Sequence, residues 1–530
     1  PVPAPPTVLR AAPPSPPLSA APTTPSPLPA PTAPTTAPTA RAVPTAPVES
    51  IAPSADAAHG RTDAAAGDAT QRAYARARER LVQVRTLLEG QDSQTSVGSG
   101  FLVSEEGHLV TNYHVVSQYA LRPAQYRLVF ATADGRQGAL QLLDVDVVHD
   151  LALLRVAEPG ALAGRGALAF RSADDPLQRG ERIYALGNPL DVGFAVVSGA
   201  YNGLAERSFL PTIFFGGSLS AGMSGGPALD DAARVIGVNV ATRRDGEQVS
   251  FLVPAVFAQA LLARSRDAQP VVESMYPRLA AQLGAHQEAL VDAFVALPWR
   301  ASGHARYRVP VPQERFMRCW GSSTPPEARG LQFERSQCAM DSRVFVNGGL
   351  LSGFLVVRHE AYDGRRLGWL RFAERYSKSF RNESFDGGRQ QTPPQCREDD
   401  VQGDGLVLRA VLCLREYKKL PGLFDLALLV ATLDASDMGV LGRFDGYGVS
   451  FENAQRLAAH YLAGFGVARV ASARPAAQSA MPPSALPSAP PSAPPSALPS
   501  ALPSALPSAL PSALPAPPAV RASGARADVR

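Results

Sequence analysis

Short apolar stretches separated by turns run along the chain from Leu81 to about Leu262. Within these stretches apolar and polar side chains alternate over a few residues, and turns such as Glu106-Gly107 interrupt the pattern. Many short strands with few helices are typical of β-sandwiches and β-barrels. The pattern therefore predicts a mainly β domain, which a helix over residues 70–81 precedes.

A second region of strands follows a helical connector. Strands resume at about Pro298 and continue towards Val470, and a helix is predicted near Glu452–Leu462. This part of the chain is expected to form a second β-rich domain of the α+β kind. The connector is predicted from apolar side chains near helical spacing, namely Leu279, Leu283, Leu290 and Phe294.

The two ends of the chain lack this patterning. They are rich in proline and alanine, and the last segment repeats Pro-Ser-Ala-Leu with period four from about Pro499. Such segments cannot bury enough apolar surface to offset the entropy that is lost on ordering. We therefore predict five regions: a disordered tail over 1–69, a folded domain over 70–265, a helical connector over 266–297, a second domain over 298–470 and a disordered tail over 471–530.

Charge and hydropathy narrow the classes of partner. The chain has 51 basic and 47 acidic residues and a net charge of +4, a balance too even to indicate nucleic acid or an anionic membrane. The most apolar run, Gly422 to Leu433, is shorter than the ~18 residues of a membrane span and contains Asp425. The chain begins at Pro1 without a visible signal peptide. We therefore expect a processed or cut sequence and leave open whether a secretion signal preceded it.

Four cysteines lie in the second domain, at Cys319, Cys338, Cys396 and Cys413. They form no C-x-x-C or Cys/His spacing, so no metal site is predicted. Two disulfides in an oxidising compartment and four unpaired core thiols both fit an even number, and we favour the disulfides. The expected pairs are those closest in sequence, Cys319–Cys338 and Cys396–Cys413.

The segment SAGMSGGP, residues 220–227, presents a serine between glycines. A serine nucleophile on a tight loop needs neighbours with backbone freedom, which glycine supplies. On such a loop the amides of Gly222 and Ser224 can converge on one oxygen and stabilise an oxyanion. The alternative is an ordinary glycine-rich turn.

The candidate general base is His114 in TNYHVV, and an apolar strand is expected to run into it. The alternative is a core histidine with satisfied hydrogen bonds. His108 is a competitor, but its place on a hairpin turn beside Gly107 predicts that it is exposed. His149 is another competitor, and its segment is better explained by its neighbour Asp150.

Asp150 is the candidate acid, since it begins DLALLRV, a strand that is expected to be mostly buried. A buried carboxylate needs a hydrogen bond or an ion pair, which a histidine N–H can supply. Asp144 and Asp146 are the alternatives, and their alternating strand predicts that both are solvated. The order His114, Asp150, Ser224 along the chain is the order found in chymotrypsin.

Residues 82–262 resemble the protease domain of the HtrA-like branch of trypsin-like peptidases. The resemblance lies in five motifs in the same order: GSGFLVSEEGHLVTNYHVV, DLALLRV, ALGNPL, GMSGGPALDDAARVIGVNV and VSFLVP. It implies a two-barrel, chymotrypsin-like fold that works without metal or cofactor. It also implies a catalytic triad of His114, Asp150 and Ser224, with an oxyanion hole formed by the amides of Gly222 and Ser224.

The same resemblance implies a specificity pocket. The trypsin-like pattern places the floor of the P1 pocket at Ser218 and one wall at Val240, Ala241 and Thr242. No acidic side chain lies at these positions. A P1 lysine or arginine would lose its water there without gaining a partner, so small or medium apolar P1 residues are expected.

The chain departs from the family in two ways. Residues 298–470 show no recognisable PDZ pattern, which argues against peptide-gated assembly. Met223 precedes Ser224 where the family commonly has asparagine. The domain over 70–265 has no cysteine, so packing alone is expected to hold its barrels, which suits the HtrA-like branch better than the disulfide-rich digestive enzymes.

Together the motifs predict an exported, periplasmic or cell-envelope serine endopeptidase that cleaves protein or peptide substrates. The alternative is a catalytically weak or inactive protease-fold protein that binds or adheres at the cell envelope. All three candidate triad residues are present, which favours the enzyme. No oligomeric state is predicted.

Overall fold

The computed structural model describes residues 69–189, 192–242, 249–300, 304, 306–325, 327–380, 385 and 388–468. The two predicted disordered tails lie outside the described residues, except for residue 69, where the first helix begins. The described residues up to Ala468 belong to one compact unit. Among the described residues, none of the helices combines the length and the hydropathy that a membrane span requires.

The first half of the protease-like region is a closed barrel of six antiparallel strands. A helix over 69–77, α1, leads into it through a 3-10 turn at Arg78–Arg80. The strands are β1 Leu81–Leu88, β2 Gln94–Leu102, β3 His108–Thr111, β4 Tyr126–Thr132, β5 Gln137–Asp146 and β6 Leu151–Val156. They pair in the order β1-β2-β3-β6-β5-β4, and closure leaves this sheet without an edge.

A second closed barrel of six strands follows. Its strands are β7 Arg182–Gly187, β8 Ala195–Leu204, β9 Ile213–Gly216, β10 Pro227–Leu229, β11 Val235–Thr242 and β12 Ser250–Pro254. They pair in the order β10-β11-β12-β9-β8-β7. The two barrels confirm the predicted mainly β, two-barrel, chymotrypsin-like fold class.

Two helices lie where the pattern predicted strands. The strand expected to run into His114 ends at Thr111, and His114 lies in the helix α2, Tyr113–Leu121. The β-branched pair that follows His114 favours a strand by propensity, but its side chains pack on the barrel from a helix. Likewise α3, Ala255–Ser265, takes the place of the last predicted strand residues.

The helical connector is shorter than predicted. Its helix, α4, spans Tyr276–Val295, whereas residues 266–275 are not helical. Proline lies in the first turn of α4, where its fixed φ suits a helix start. The first half of α4 packs into the core of the first barrel and the second half into the core of the following domain, so the connector belongs to both.

The second domain is built on a seven-stranded antiparallel sheet in the order β14-β15-β18-β22-β21-β20-β19. Short two-stranded pairs, β13 with β23 and β16 with β17, accompany it. The strands are β13 Tyr307–Arg308, β14 Arg318–Ser323, β15 Gln332–Ala339, β16 Val344–Asn347, β17 Leu350–Ser352, β18 Phe354–Asp363, β19 Gln395–Gln402, β20 Val407–Glu416, β21 Phe424–Thr432, β22 Met438–Val449 and β23 Gly466–Val467.

Helices cover both faces of this sheet. The helices α4 and α6, Phe451–Ala463, pack on one face, and α5, Trp369–Ser379, packs on the other. The central strand β21 is therefore buried on both sides, which explains why it contains the most apolar run of the chain. The predicted helix near Glu452–Leu462 is confirmed, as is the β-rich, α+β character of the domain.

Both predicted disulfides are confirmed, Cys319–Cys338 and Cys396–Cys413. Each joins two residues that lie directly opposite one another in antiparallel register. Since β14 and β19 are the edge strands of the seven-stranded sheet, each disulfide ties an edge strand to its inner neighbour.

Candidate active site

Hydrogen bonds fix the His114–Asp150 pair from both sides. The Asp150 carboxylate accepts from the His114 backbone N–H at 2.8 Å and contacts His114 Nδ1 at 2.6 Å. The Asp150 carbonyl oxygen accepts from the Tyr113 N–H at 3.1 Å and from Asn112 Nδ2 at 2.8 Å. Asp150 has φ +54°, a strained value for a side-chain-bearing residue. These contacts to the start of α2 hold it in that conformation.

The environment of His114 suits a base. Burial lowers the pKa of the imidazole, but the charge of Asp150 and its hydrogen bond raise the pKa by more, so the net pKa lies above the usual 6.5. The side chain remains 30% exposed. With Nδ1 held by a carboxylate, the other nitrogen, Nε2, is left to accept a proton.

The loop that carries Ser224 is tightly enclosed, and its glycines permit this. Gly225 has φ +84°, and a Cβ there would lie 2.3 Å from the Ser99 carbonyl oxygen. A Cβ at Gly226 would lie 2.0 Å from the Leu186 carbonyl oxygen. Any larger residue at either position would displace backbone, so close approach requires glycine at both positions, and the conformation requires it at Gly225 as well.

A third glycine brings the serine loop close to the histidine helix. A Cβ at Gly98 would lie 2.5 Å from the Val115 side chain and 3.0 Å from the Ser224 carbonyl oxygen. Gly98 is therefore lined on two sides by the residue after His114 and by Ser224 itself. The structure places the two candidate residues at adjoining faces of the two barrels.

Met223, the residue before the candidate nucleophile Ser224, is buried in the core of the second barrel. Its backbone N–H donates to the Ser220 carbonyl oxygen at 3.1 Å. Its carbonyl oxygen accepts from the Gly226 N–H at 3.1 Å and from Asn239 Nδ2 at 3.3 Å. Apolar packing of Met223, backbone hydrogen bonds and the Asn239 amide thus order the loop.

The sequence analysis missed Ser99, which is fully buried and braces the serine loop. Its N–H donates to the Ser224 carbonyl oxygen at 2.8 Å, and its Oγ donates to the Gly222 carbonyl oxygen at 2.7 Å. The same Oγ accepts from the Asn188 N–H at 2.9 Å. A signal was present, because Ser99 is a polar residue between two glycines, directly before the apolar end of the strand.

Two amides of the loop are free to bind an oxyanion. Within the described part of the chain, neither the Gly222 N–H nor the Ser224 N–H donates a hydrogen bond. Gly222 has φ +90°, which only glycine adopts without strain. These are the two amides that the sequence predicted for the oxyanion hole.

The Ser224 hydroxyl is hydrogen-bonded to Val240 and not to His114. Its Oγ donates to the Val240 carbonyl oxygen at 2.9 Å, and no hydrogen bond between Ser224 and His114 is found among the described residues. The contact between nucleophile and base is often looser without substrate than in the reacting complex. Rotation about the Cα–Cβ bond would release the hydroxyl from Val240.

The prediction that His108 is exposed is wrong. Its side chain is buried and lies between Ser104 Oγ, 2.7 Å from Nδ1, and the Arg266 carbonyl oxygen, 2.9 Å from Nε2. The segment that follows α3 covers the hairpin turn, which the local pattern did not indicate. Since both ring nitrogens have partners, His108 has the structural role of a satisfied core histidine.

The prediction that Asp144 and Asp146 are solvated is also wrong. Both are buried. Asp144 accepts from Ser265 and forms an ion pair with Arg278, and Asp146 pairs with His149 at 3.0 Å. Helices α3 and α4 cover this strand. Asp146 and His149 form a second histidine–carboxylate pair. The His149 ring stacks on the ring of Phe257 of α3.

The predicted specificity residues are only partly described. Ser218 is exposed, and Val240 contributes the carbonyl oxygen that holds the Ser224 hydroxyl. The side chains of Ala241 and Thr242 lie outside the described residues. The assignment of the P1 pocket therefore stays a prediction.

Comparisons with known proteins agree with this architecture. Residues 98–238 match the family model described as a trypsin-like peptidase domain. "Serine protease HTRA1" of Xenopus tropicalis is 34% identical over 180 residues, which are 32% of this chain and 36% of that protein. "Probable periplasmic serine endoprotease DegP-like" of Brucella suis is 31% identical over 156 residues, 29% of each chain.

Other matches have similar extent. "Protease Do-like 5, chloroplastic" of Arabidopsis thaliana is 33% identical over 176 residues, 30% of this chain and 53% of that protein. A solved serine endoprotease from Yersinia pestis aligns over 37% of this chain and 67% of that chain, at 23% identity and a TM-score of 0.32. The chain thus spans about a third to a half of the length of these curated relatives.

Proposed function

Because the chain carries a trypsin-like peptidase domain with HtrA-like relatives, we propose that it is a serine endopeptidase with the triad His114, Asp150 and Ser224. The observation that carries the proposal is the 2.6 Å contact between His114 Nδ1 and the Asp150 carboxylate. The serine loop lies against the adjoining face, and its two free amides suit an oxyanion.

In the proposed reaction the Ser224 hydroxyl turns from Val240 towards His114. Its oxygen attacks the carbonyl carbon of the scissile bond while Nε2 of His114 takes the proton. The amides of Gly222 and Ser224 hold the oxyanion. Asp150 keeps the proton of the imidazole on Nδ1 and stabilises the imidazolium.

The two remaining steps complete the turnover. The C–N bond breaks, the leaving amine takes the proton from His114, and an acyl-enzyme remains on Ser224. A water molecule then gives a proton to His114 and attacks the carbonyl carbon of the ester. The ester C–O bond breaks, the Ser224 oxygen takes that proton back from His114, and the carboxylic acid leaves. Apart from the substrate and this water molecule, the proposed scheme uses only groups of this chain.

A fluorophosphonate probe tests the proposal. The probe phosphonylates only an activated serine, so the folded protein is expected to gain one adduct, on the peptide that contains Ser224, by mass spectrometry. Heat-denatured protein is the negative control, because unfolding separates the serine from its base. A folded protein that does not react would overturn the proposal and favour the binding-protein alternative.

The substrates that we propose have apolar P1 residues of small or medium size. The predicted pocket positions Ser218 and Val240 carry no charge, so a P1 arginine would be desolvated without a partner, which disfavours it by several kcal/mol. A peptide library digested with the full chain should show cleavage mainly after valine, alanine or leucine. Cleavage mainly after arginine would contradict this pocket.

We further propose that the protein works outside the cytoplasm, in the periplasm, at the cell envelope or in the extracellular space. The two disulfides of the second domain support an oxidising compartment. In this organisation residues 70–265 perform the chemistry, and residues 298–470 are attached to them through α4.

A further inference from the structure

A groove beside His114 is lined by two parts of the chain that are distant in sequence. It has a volume of about 560 Å³. The first barrel contributes Ser96, at the start of β2, and Gln118 of α2, together with His114 itself. The second domain contributes the β16–β17 hairpin and the loop between β20 and β21.

The hairpin is firmly seated on α2. The Tyr113 hydroxyl donates to the Val346 carbonyl oxygen at 2.8 Å, and Val344 and Val346 are buried in the core that α2 shares with the first barrel. Phe345 places its ring edge-on, 6.1 Å from the His114 ring. The second domain therefore forms part of the surface that directly borders the proposed general base.

The groove has a strong local charge. Four cations line it, Arg122, Arg389, Lys418 and Lys419, and no aspartate or glutamate is among its lining residues. All four are exposed, and none forms an ion pair with a carboxylate within the described part of the chain. In a chain with 51 basic and 47 acidic residues, this is a marked local excess of positive charge.

Contacts with the second domain and with α4 hold the two lysines in place. Lys418 Nζ donates to the Arg389 carbonyl oxygen at 3.0 Å, and Lys419 Nζ lies 4.9 Å from the centre of the Tyr276 ring. Asn347 and Gln390 exchange two amide hydrogen bonds, at 2.8 and 2.7 Å. These two residues join the hairpin to the segment that carries Arg389, so the groove is built before any ligand arrives.

The position of the groove indicates which half of a substrate it would contact. The acyl half of the substrate lies along the second barrel, where Val240 and the predicted P1 pocket are found. The groove has no lining residue from the second barrel. The leaving amine takes its proton from the histidine, so a groove on the opposite side of His114 faces the residues that follow the scissile bond.

From this arrangement we propose that the groove is a subsite for a carboxylate in the leaving-group half of the substrate. The inference rests on the proposed function for the orientation of the substrate, but not for the binding of the carboxylate. The carboxylate has two sources, an aspartate or glutamate side chain two or three residues after the scissile bond, or the C-terminus of a short peptide.

Matched peptides test the proposal with the full chain. Internally quenched peptides share one apolar P1 residue and differ only after the scissile bond, with glutamate or glutamine at the second and third positions. A second pair ends there with a free carboxylate or an amide, and a third pair has glutamate or glutamine before P1. Within the first two pairs, we expect kcat/KM to be about tenfold higher for the peptide with the carboxylate than for its neutral partner, which is the effect of a few exposed charge contacts. The two values should converge at high salt.

The first two pairs distinguish the sources of the carboxylate, and either preference supports the subsite. Equal kcat/KM within both pairs, or a preference confined to the third pair, would overturn it. Binding of the leaving-group halves to the Ser224→Ala protein is measured separately by fluorescence anisotropy. A carboxylate preference in binding with no cleavage of any peptide would refute the proposed enzyme while supporting the site.

Substitutions locate the preference in the groove. In the double variant Lys418→Gln/Lys419→Gln, the acid-to-neutral ratio should fall from about tenfold towards one. The matched control is Arg371→Gln/Arg375→Gln, which removes two exposed cations from α5 of the same domain, outside the groove. A ratio that falls equally in both variants would mean that the preference reflects overall charge, and it would overturn the proposal.

Discussion

Replacing Ser224 with alanine is expected to lower kcat by about 10⁶, the loss known for nucleophiles of serine triads. The alanine keeps the backbone amides and the fold, but no acyl-enzyme can form. The measurement is kcat on a chromogenic peptide, with fluorophosphonate labelling as a second readout. Circular dichroism and the melting temperature should be unchanged.

The matched control is Ser220→Ala, four residues earlier on the same loop. Its side chain is exposed, and the loop uses only its carbonyl oxygen, which accepts from Met223. This variant should retain activity and labelling. A Ser224→Ala protein that still turns over peptide at the parent rate would show that the nucleophile is another residue.

Asp150→Asn is expected to lower kcat by about 10⁴, because an amide stabilises the wrong imidazole tautomer while leaving the geometry intact. The control is Asp146→Asn, which makes the same change in the other histidine–carboxylate pair. That pair packs under α3 against Phe257, so its loss should lower the melting temperature and leave kcat within a small factor of the parent. Loss of activity in Asp146→Asn but not in Asp150→Asn would mean that the His149–Asp146 pair, and not the His114–Asp150 pair, is catalytic.

The pH profile provides an independent readout for Asp150. Activity requires a neutral His114, so it should fall as the pH drops through the pKa of that residue, which lies above 6.5. Asparagine removes the charge that raises the pKa and leaves the burial that lowers it. The acid limb of kcat/KM should therefore move to lower pH in Asp150→Asn, whereas a limb that does not move would mean that another group titrates.

The two-barrel fold was predictable because its motifs are local. Each of the five motifs contains a strand or loop whose residue types follow from its own backbone conformation, as at Gly222 and Gly225, where a positive φ favours glycine. The two disulfides were predictable for the same reason, since each joins neighbouring strands. Such pairs can be predicted from the sequence because their cysteines are close together along the chain.

The errors came from contacts across long sequence distances. Asp144 is buried by Ser265 and Arg278, more than 100 residues further along the chain. His108 was expected to be exposed because it lies on a hairpin turn, but it is buried because the residue after α3 covers it. The hairpin that borders His114 comes from a domain whose pattern indicates strands but not where they pack.

Reduction of the two disulfides would decide how long the protein survives. Most side chains of β14 and β19 are exposed, so little burial holds these edges once the covalent link is gone. A frayed edge presents extended backbone, the form in which peptides add to a binding strand. With the proposed peptidase activity, such edges would make the reduced protein a substrate for its own copies. The redox state of the surroundings would then set the lifetime of the protein, since molecules that reach a reducing space would be removed by self-digestion.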